Sequence, residues 1–124
     1  MGAKTGLKIF ERETANTAQI DGDNGPGQWI SMVAMQLAIR KAHEQGIGIV
    51  GVRRSNHFGA AGHYAWEATK TGLIGLCTTN GPAILAPTGG MTPTFGNNPL
   101  GVGIPAGRHP PILLDIAMSV APRG

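Results

Sequence analysis

The feature that most limits the possible folds is a helix-length stretch in which apolar residues recur with a period near 3.6 residues. Shorter apolar runs lie on either side of it. Between about Gln28 and Gln45, apolar residues recur at steps of three and four, which is typical of a helix with one buried face. Gly46 follows where helices commonly end in a left-handed residue. The residues that form this predicted face are Ile30, Val33, Ala34, Leu37, Ala38 and Ala42.

Shorter apolar runs predict strands around this helix. A second helix is expected from about Ala60 to Thr71, residues 21–27 are expected to form a loop, and residues 80–99 indicate a long one. Strands alternating with helices favour an α/β fold with a mixed sheet and flanking helices. Two of the runs, 47–52 and 73–78, are expected to be buried. All the expected strands are residues 7–13, 17–21, 47–52, 73–78, 100–104 and 112–116.

Composition and charge argue against several classes of protein. The 124 residues suit a single domain, here residues 1–124, and a net charge of +3 without a run of like charges argues against a nucleic-acid partner. No apolar run approaches the roughly 20 residues of a membrane span. Cys77 is the only cysteine, which excludes an internal disulfide and fits a reducing cytoplasm. The histidines show no metal-ligand spacing, so no metal site is expected.

One glycine motif gives a misleading signal. Residues 46–51 spell G-x-G-x-x-G, which in a Rossmann domain follows a strand and opens a helix that faces a pyrophosphate. Here the motif follows a predicted helix and begins a predicted strand. We therefore do not expect residues 46–51 to bind phosphate.

The segment Ser55–Gly59, which reads S-N-H-F-G, is the strongest candidate for chemistry. It lies between a predicted strand and a predicted helix, where α/β proteins commonly bind ligands. It combines a hydroxyl, an amide and the imidazole of His57, and an imidazole can hydrogen-bond a substrate oxygen or relay a proton. Capping of the second helix by Ser55 or Asn56, with local packing of His57, explains the same residues equally well.

Four segments in order carry a family resemblance. Residues 55–62, S-N-H-F-G-A-A-G, resemble a motif of the type-2 malate/L-lactate dehydrogenase family. Residues 17–22 (T-A-Q-I-D-G), 96–99 (G-N-N-P) and 115–119 (D-I-A-M-S) are similar to further segments of the same family. The family also includes sulfolactate and ureidoglycolate dehydrogenases and some cyclic imine reductases. The resemblance extends over almost the whole chain and is that of an internal fragment.

The resemblance implies a function and a set of site residues. The family's nicotinamide-binding domain is of the sulfolactate-dehydrogenase type rather than a Rossmann fold, and its members transfer a hydride between NAD or NADP and a small 2-hydroxy or 2-oxo acid. Asn97 then corresponds to a substrate-binding position, although turn formation by Asn97 and Asn98 before Pro99 is the alternative. The implied cofactor-binding residues are His57, Asp115, Ile116, Ala117, Arg123 and Gly124.

The resemblance also marks what this sequence does not contain. Family members carry a Ser-His pair upstream that is used for proton transfer, and no S-H-G sequence occurs here. No catalytic residue is therefore expected within the chain, which should be inactive alone, and a full-length parent is expected to be a homodimer. Met118 stands where threonine is usual, and Pro122 where a small residue is common. A cyclic imine reductase and a non-catalytic α/β ligand-binding module remain open alternatives, and NAD is not distinguished from NADP.

Overall fold

The computed structural model describes residues 8–119, which divide into two compact units. Of the described residues, the first unit comprises residues 8–59 and 70–73, and the second comprises residues 60–69 and 74–119. Each unit combines a three-stranded sheet with a helix. The predicted α/β class with a mixed sheet and helices is therefore confirmed, and the assignment of the whole chain to one partial domain stays a prediction.

The first unit is a mixed sheet with one long helix. Its strands are β1 (Lys8–Glu13), β2 (Thr17–Gly25) and β3 (Ile49–Ser55), and its helix is α1 (Gly27–Gln45). The sheet order is β1-β2-β3, with β1 antiparallel and β3 parallel to β2. A parallel pair requires a long crossover connection, and α1 supplies it.

Apolar side chains from β2 and α1 form the core of the first unit. Ile20 and Ile30 are fully buried, and burial of each stabilises the fold by about 2 kcal/mol. Val33 and Val50 pack against the same cluster. The predicted apolar face of α1 is therefore the face that packs on the sheet. The cluster consists of Ala18, Ile20, Ile30, Ala34 and Leu37.

Gly46 ends α1, as the sequence predicts. Its φ of 84° is left-handed, and its N–H donates to the carbonyl oxygen of Ala42 at 2.8 Å. Because α1 ends at Gln45 and β3 begins at Ile49, residues 46–51 connect a helix to a strand. The G-x-G-x-x-G motif therefore does not open a helix, as its sequence context indicates.

The second unit is an antiparallel sheet with a short helix. Its elements are α2 (Ala61–Thr69), β4 (Gly75–Thr78), β5 (Leu100–Ala106) and β6 (His109–Ile116). The strands follow the order β4-β5-β6, and both neighbouring pairs are antiparallel. This sheet brings the end of β6 next to the start of β5, where two of the sequence motifs lie.

The long loop predicted over residues 80–99 is confirmed. Its backbone, which the structure describes throughout, holds a single isolated bridge between Leu85 and Phe95 and no helix or longer strand. Gly107, with a φ of 62°, forms the turn between β5 and β6. No helix within residues 8–119 is long and apolar enough to cross a membrane.

Close approach of backbone to backbone packs α2 on the second sheet. A β-carbon at Gly101 would lie 2.5 Å from the carbonyl oxygen of Ala61, and one at Gly103 would lie 2.6 Å from that of Ala65. Gly75 also faces the backbone of Ala65. Only glycine allows a strand to approach a helix this closely. Three of the 20 glycines among the 124 residues therefore serve this contact.

The strand β2 is longer than predicted. It continues to Gly25, whereas the sequence predicts an end at Asp21 and a loop over residues 21–27. Its pairing with β3 is irregular between Asp21 and Gly25, and Asp23 and Asn24 adopt left-handed φ values of 46° and 55°. Asp and Asn tolerate this conformation. The turn-forming residues therefore distort the strand without ending it.

The expected burial of residues 47–52 and 73–78 is wrong for most of these positions. The strand β3 lies at the edge of its sheet, and Ile49 is 57% exposed. In β4, Gly75 is buried but Leu76 is 63% exposed. Side chains alternate between the two faces of a strand. Apolar composition alone does not reveal which face a helix covers.

Candidate functional site

The S-N-H-F-G segment, residues 55–59, follows directly from β3 in the first unit. His57 is exposed, and its neighbour Phe58 is buried. Gly27, the first residue of α1, lies against the backbone of the segment, since a β-carbon there would stand 2.5 Å from the carbonyl oxygen of His57. The fold thus presents His57 on the surface while its backbone rests on the start of α1.

A buried carboxylate anchors the strand ends next to this segment. Asp21 is 3% exposed and accepts hydrogen bonds from Arg54 Nε at 2.8 Å, Arg53 Nη2 at 3.0 Å and the Asp23 N–H at 3.0 Å. The hydrogen bonds from Arg54 and from the Asp23 backbone, aided by the charges of both arginines, lower the pKa of Asp21 from 3.8 to about 2. The carboxylate is therefore ionised at neutral pH.

Asn56 uses its side-chain amide within the first unit. Its Nδ2 donates to the carbonyl oxygens of Asn24 at 2.6 Å and Gly25 at 3.1 Å. The hydroxyl of Ser55 contacts the carbonyl oxygen of Asn56 at 3.4 Å. Both amide hydrogens of Asn56 thus bind the distorted end of β2, which favours an anchoring role for Asn56 over the helix-cap alternative.

In the second unit, backbone contacts bring two sequence motifs together. The N–H of Met118 donates to the carbonyl oxygen of Asn97 at 2.9 Å. Next to this contact, Leu100 of β5 pairs with Ile116 of β6. The G-N-N-P and D-I-A-M-S motifs therefore lie side by side at one end of the sheet.

The two asparagines of the G-N-N-P motif differ in role. Asn98 has a left-handed φ of 39°, and its Oδ1 accepts a hydrogen bond from the N–H of Gly81 at 2.8 Å. Asn98 therefore fixes the turn and joins the two ends of the long loop. Among residues 8–119, the side chain of Asn97 makes no such turn-forming hydrogen bond, and its Oδ1 lies beside Gly81. Turn formation thus accounts for Asn98, and Asn97 stays a candidate ligand-binding residue.

Asp115 lies against the start of α2. A β-carbon on Gly62 would stand 2.9 Å from Asp115 Oδ2, and a carboxylate near a helix N-terminus is electrostatically favourable. Across the sheet, Asp115 pairs with Gly101, which in turn pairs with Cys77. Burial raises the pKa of the Cys77 thiol to about 11, and the charge of Asp115 adds to the shift. The thiol therefore stays protonated at neutral pH and is a poor nucleophile.

At Asp115, the D-I-A-M-S segment offers a hydrogen-bond acceptor rather than a site for an anion. The Asp115 carboxylate lies beside Gly62, where the helix N-terminus would otherwise attract an anion. A carboxylate accepts hydrogen bonds, such as those of a ribose hydroxyl or a carboxamide N–H. The Oγ of Ser119 is also buried and lacks a hydrogen-bond partner among the described residues, although buried hydroxyls generally have one.

The structure places the predicted site residues in both units. His57 belongs to the first unit, and Arg123 and Gly124 lie outside the described residues. Within residues 8–119, no group of three or more histidine, cysteine or acidic side chains could hold a metal ion. The residues that the second unit brings together at one end of its sheet are Asn97, Asp115, Ile116 and Ala117.

Sequence reasoning missed the contribution of Asp21 and Asn56. Asp21 falls in the T-A-Q-I-D-G segment, where a carboxylate directly follows the apolar end of a predicted strand. A buried acid of this kind needs a cationic partner, and Arg53 and Arg54 are the adjacent pair of cations at the end of another predicted strand. Matching these two strand ends would have predicted the ion pairs.

The known proteins that resemble this chain are dehydrogenases and reductases, which belong to the class of oxidoreductases. The malate dehydrogenase of Pyrococcus abyssi is 49% identical over 118 residues, which are 95% of this chain and 32% of that protein. The L-sulfolactate dehydrogenase of Methanothermobacter thermautotrophicus is 44% identical over 115 residues, which are 93% and 33% of the two chains. Residues 4–124 match the family model described as malate/L-lactate dehydrogenase. The chain belongs to this family.

Solved structures agree with the family. The malate dehydrogenase of Pyrococcus horikoshii aligns with 94% of this chain and 33% of its own, at a TM-score of 0.90 and 45% identity. A delta1-piperideine-2-carboxylate reductase from Pseudomonas syringae aligns with 96% of this chain and 36% of its own, at a TM-score of 0.86 and 31% identity. The chain spans about a third of the length of the relatives it matches.

Proposed function

We propose that this chain forms part of the cofactor and substrate pocket of an NAD- or NADP-dependent dehydrogenase that acts on small 2-hydroxy and 2-oxo acids. The observation that carries the proposal is the backbone hydrogen bond from Met118 to Asn97, which brings the G-N-N-P motif next to the D-I-A-M-S motif in a chain of this family. The names of the malate and sulfolactate dehydrogenases support the substrate class. A cytoplasmic homodimer is our expectation for the complete enzyme.

Each residue would have its own role in the proposed site. A bound nicotinamide cofactor would supply the hydride that adds to C2 of the 2-oxo acid, while a proton adds to the carbonyl oxygen. His57 would contact the cofactor from its exposed position, and Asp115 would accept hydrogen bonds from the nucleoside. The amide of Asn97 would bind the substrate carboxylate or carbonyl. None of these residues supplies the proton, which we expect from a Ser-His pair elsewhere in the enzyme.

Cofactor titration tests the binding half of the proposal. The 124-residue chain should bind NADH or NADPH weakly, if at all, and should not oxidise malate or lactate, because the proton donor is not part of it. Fluorescence titration with each nucleotide measures the affinities and compares NAD with NADP. Robust malate or lactate oxidation by the chain alone would contradict the expected inactivity.

A chimera tests the site in a complete enzyme. In it, these 124 residues replace the matched third of the Pyrococcus horikoshii malate dehydrogenase, with which they share a TM-score of 0.90. We expect the chimera to oxidise malate and His57→Ala to lower its kcat/KM by about tenfold or more. His43→Ala, which alters an exposed histidine in the last turn of α1, is the control. Unchanged kinetics in His57→Ala would remove His57 from the site.

Reduction of a cyclic imine acid is the second candidate function. The similarity to the delta1-piperideine-2-carboxylate reductase favours it, since the same hydride donor serves both reactions. Assay of the chimera with 2-oxo acids and with Δ1-piperideine-2-carboxylate separates the two. If neither the chain nor the chimera binds a nicotinamide nucleotide saturably, the chain is a non-catalytic α/β module.

A further inference from the structure

The backbone adopts an unusual conformation at the residue just before the S-N-H-F-G segment. Arg54, near the end of β3, has a left-handed φ of 50°, which is unusual for a residue with a long side chain. Its guanidinium is held by two carboxylates, through Nε to Asp21 at 2.8 Å and through Nη2 to Asp23 at 3.2 Å. Conformations of this kind persist only where surrounding contacts enforce them, and they cluster at functional sites. The side chain of Arg54 is therefore anchored by Asp21 and Asp23 directly before the segment.

The next anchor is the side chain of Asn56, which lies between Ser55 and His57 in sequence. Its Nδ2 donates to the carbonyl oxygens of Asn24 and Gly25, at 2.6 Å and 3.1 Å. Asn24 is itself left-handed, with a φ of 55°, so its carbonyl is presented by a defined backbone geometry. The amide of Asn56 thus joins the segment to the end of β2 with two hydrogen bonds.

The third contact fixes the backbone of His57. Gly27 at the start of α1 approaches the carbonyl oxygens of both Asn56 and His57 so closely that no β-carbon fits. The peptide that joins Asn56 to His57 therefore lies against Gly27, and the Asn56 amide joins it to the end of β2. The imidazole of His57 is exposed on a backbone that these contacts hold.

We propose that Asn56 is a positioning residue, which holds the His57 backbone against α1 so that the imidazole meets the cofactor in one orientation. This inference rests on the proposed function of His57. The amide hydrogens of Asn56 would not bind the cofactor, because both are used within the first unit. Its contribution would pass through His57 alone.

The variant Asn56→Asp tests the inference with almost no change of shape. It replaces the NH2 donor with an oxygen that faces two carbonyl oxygens, so both hydrogen bonds are lost and repulsion takes their place. In the malate dehydrogenase chimera we expect kcat/KM to fall about 10- to 100-fold, as small misplacements of a site group commonly cause. Asn16→Asp, which makes the same change at an exposed position between β1 and β2, should leave kcat/KM within about twofold.

A double-mutant cycle separates positioning from a general structural role. If Asn56 acts through His57, adding Asn56→Asp to His57→Ala should cost no more than about twofold beyond His57→Ala alone. Additive losses, or a fall in Tm that accounts for the lost activity, would overturn the inference. Recovery of activity in Asn56→Gln, which restores a donor on a longer side chain, would support it.

A measurement on the 124-residue chain keeps this test independent of activity. In wild type, the backbone order parameter of His57 should be near the rigid value of about 0.85, and in Asn56→Asp it should fall below about 0.6 while α1 is unchanged. An unchanged order parameter would overturn the positioning role even if His57 proves essential. Conversely, the order parameter could fall clearly in Asn56→Asp while His57→Ala keeps normal kinetics. That result would refute the proposed function of His57 but not the positioning of its backbone by Asn56.

Discussion

The two units pack a helix on a sheet in opposite ways. In the first, α1 is held by a cluster of apolar side chains centred on Ile20 and Ile30, both fully buried. In the second, the sheet presents glycine to α2, and the backbone of Gly101 lies directly against that of Ala61. The first contact depends on side-chain volume, whereas the second depends on the absence of a side chain.

The difference shows why a glycine-rich sequence can still form a defined fold. Glycine is usually costly in a strand because it adds no packing and loses more conformational entropy on folding. In the second unit it allows a close helix-to-sheet contact that no other residue permits. Equal hydrophobicity in the two units would therefore not imply equal tolerance of substitution.

Ile20→Ala is expected to have the largest effect. It empties part of the first unit's core and should lower the free energy of unfolding by about 3 kcal/mol. Urea unfolding can be followed through Trp29 in α1 and Trp66 in α2 separately, in variants where the other tryptophan is Phe. Trp29 should report the loss and Trp66 much less of it.

The matched control for this prediction is Ile49→Ala. Ile49 is 57% exposed, so its truncation should cost well under 1 kcal/mol. Equal shifts of both tryptophan signals in Ile20→Ala would mean that the two units unfold as one cooperative system. The contrast between their cores would then not be visible in stability.

Gly101→Ala should have the next largest effect, although it only adds a methyl group. The new β-carbon would lie 2.5 Å from the carbonyl oxygen of Ala61, so α2 must move, at a cost of about 2 kcal/mol. Gly51→Ala in β3 is the matched control, because a β-carbon there meets nothing within 4 Å. It should be neutral or stabilising by about 0.5 kcal/mol. A neutral Gly101→Ala would show that the helix is free to shift.

The same contrast decides which parts of the fold could be predicted from the sequence. The period of Ile30, Ala34 and Leu37 predicts α1 because the side chains that create the pattern also form the contact. A glycine contact leaves no such pattern, so the packing of α2 on Gly101 and Gly103 could not be read from the sequence. Apolar composition also does not show which face of β4 a helix covers, so the exposure of Leu76 could not be predicted.

The candidate site divides in a similar manner. Its motifs were found as strings of residues, and the side-by-side arrangement of G-N-N-P and D-I-A-M-S follows from antiparallel pairing of β5 with β6. The anchoring of the S-N-H-F-G segment could not be predicted, because it depends on three non-glycine residues with left-handed φ, Asp23, Asn24 and Arg54. Local sequence does not specify such conformations, which tertiary contacts impose.

Lys41→Met should have a moderate effect in the first unit. Lys41 is 6% exposed, and its Nζ donates to Glu13 Oε1 and to the carbonyl oxygen of Thr14, each at 2.7 Å. Methionine keeps the length of the side chain but leaves these acceptors without their donor, at a cost of about 1.5 kcal/mol. Arg40→Met, at the exposed neighbouring position, is the control and should cost less than about 0.5 kcal/mol. Equal costs for both variants would show that the buried ammonium contributes nothing specific.

The smallest expected effect is the pH dependence that Asp21 gives the first unit. Its pKa is about 2 in the folded chain against an ordinary 3.8, so the unfolded state takes up the proton first as pH falls. The contribution is therefore complete above about pH 4 and is lost as pH falls toward 2. Because Arg53 and Arg54 have half-exposed side chains, water screens these ion pairs and keeps the effect modest. Tm measured through Trp29 between pH 5 and pH 2 should fall less steeply in Asp21→Asn than in wild type. Parallel slopes in wild type and Asp21→Asn would show that the carboxylate does not anchor the end of β3.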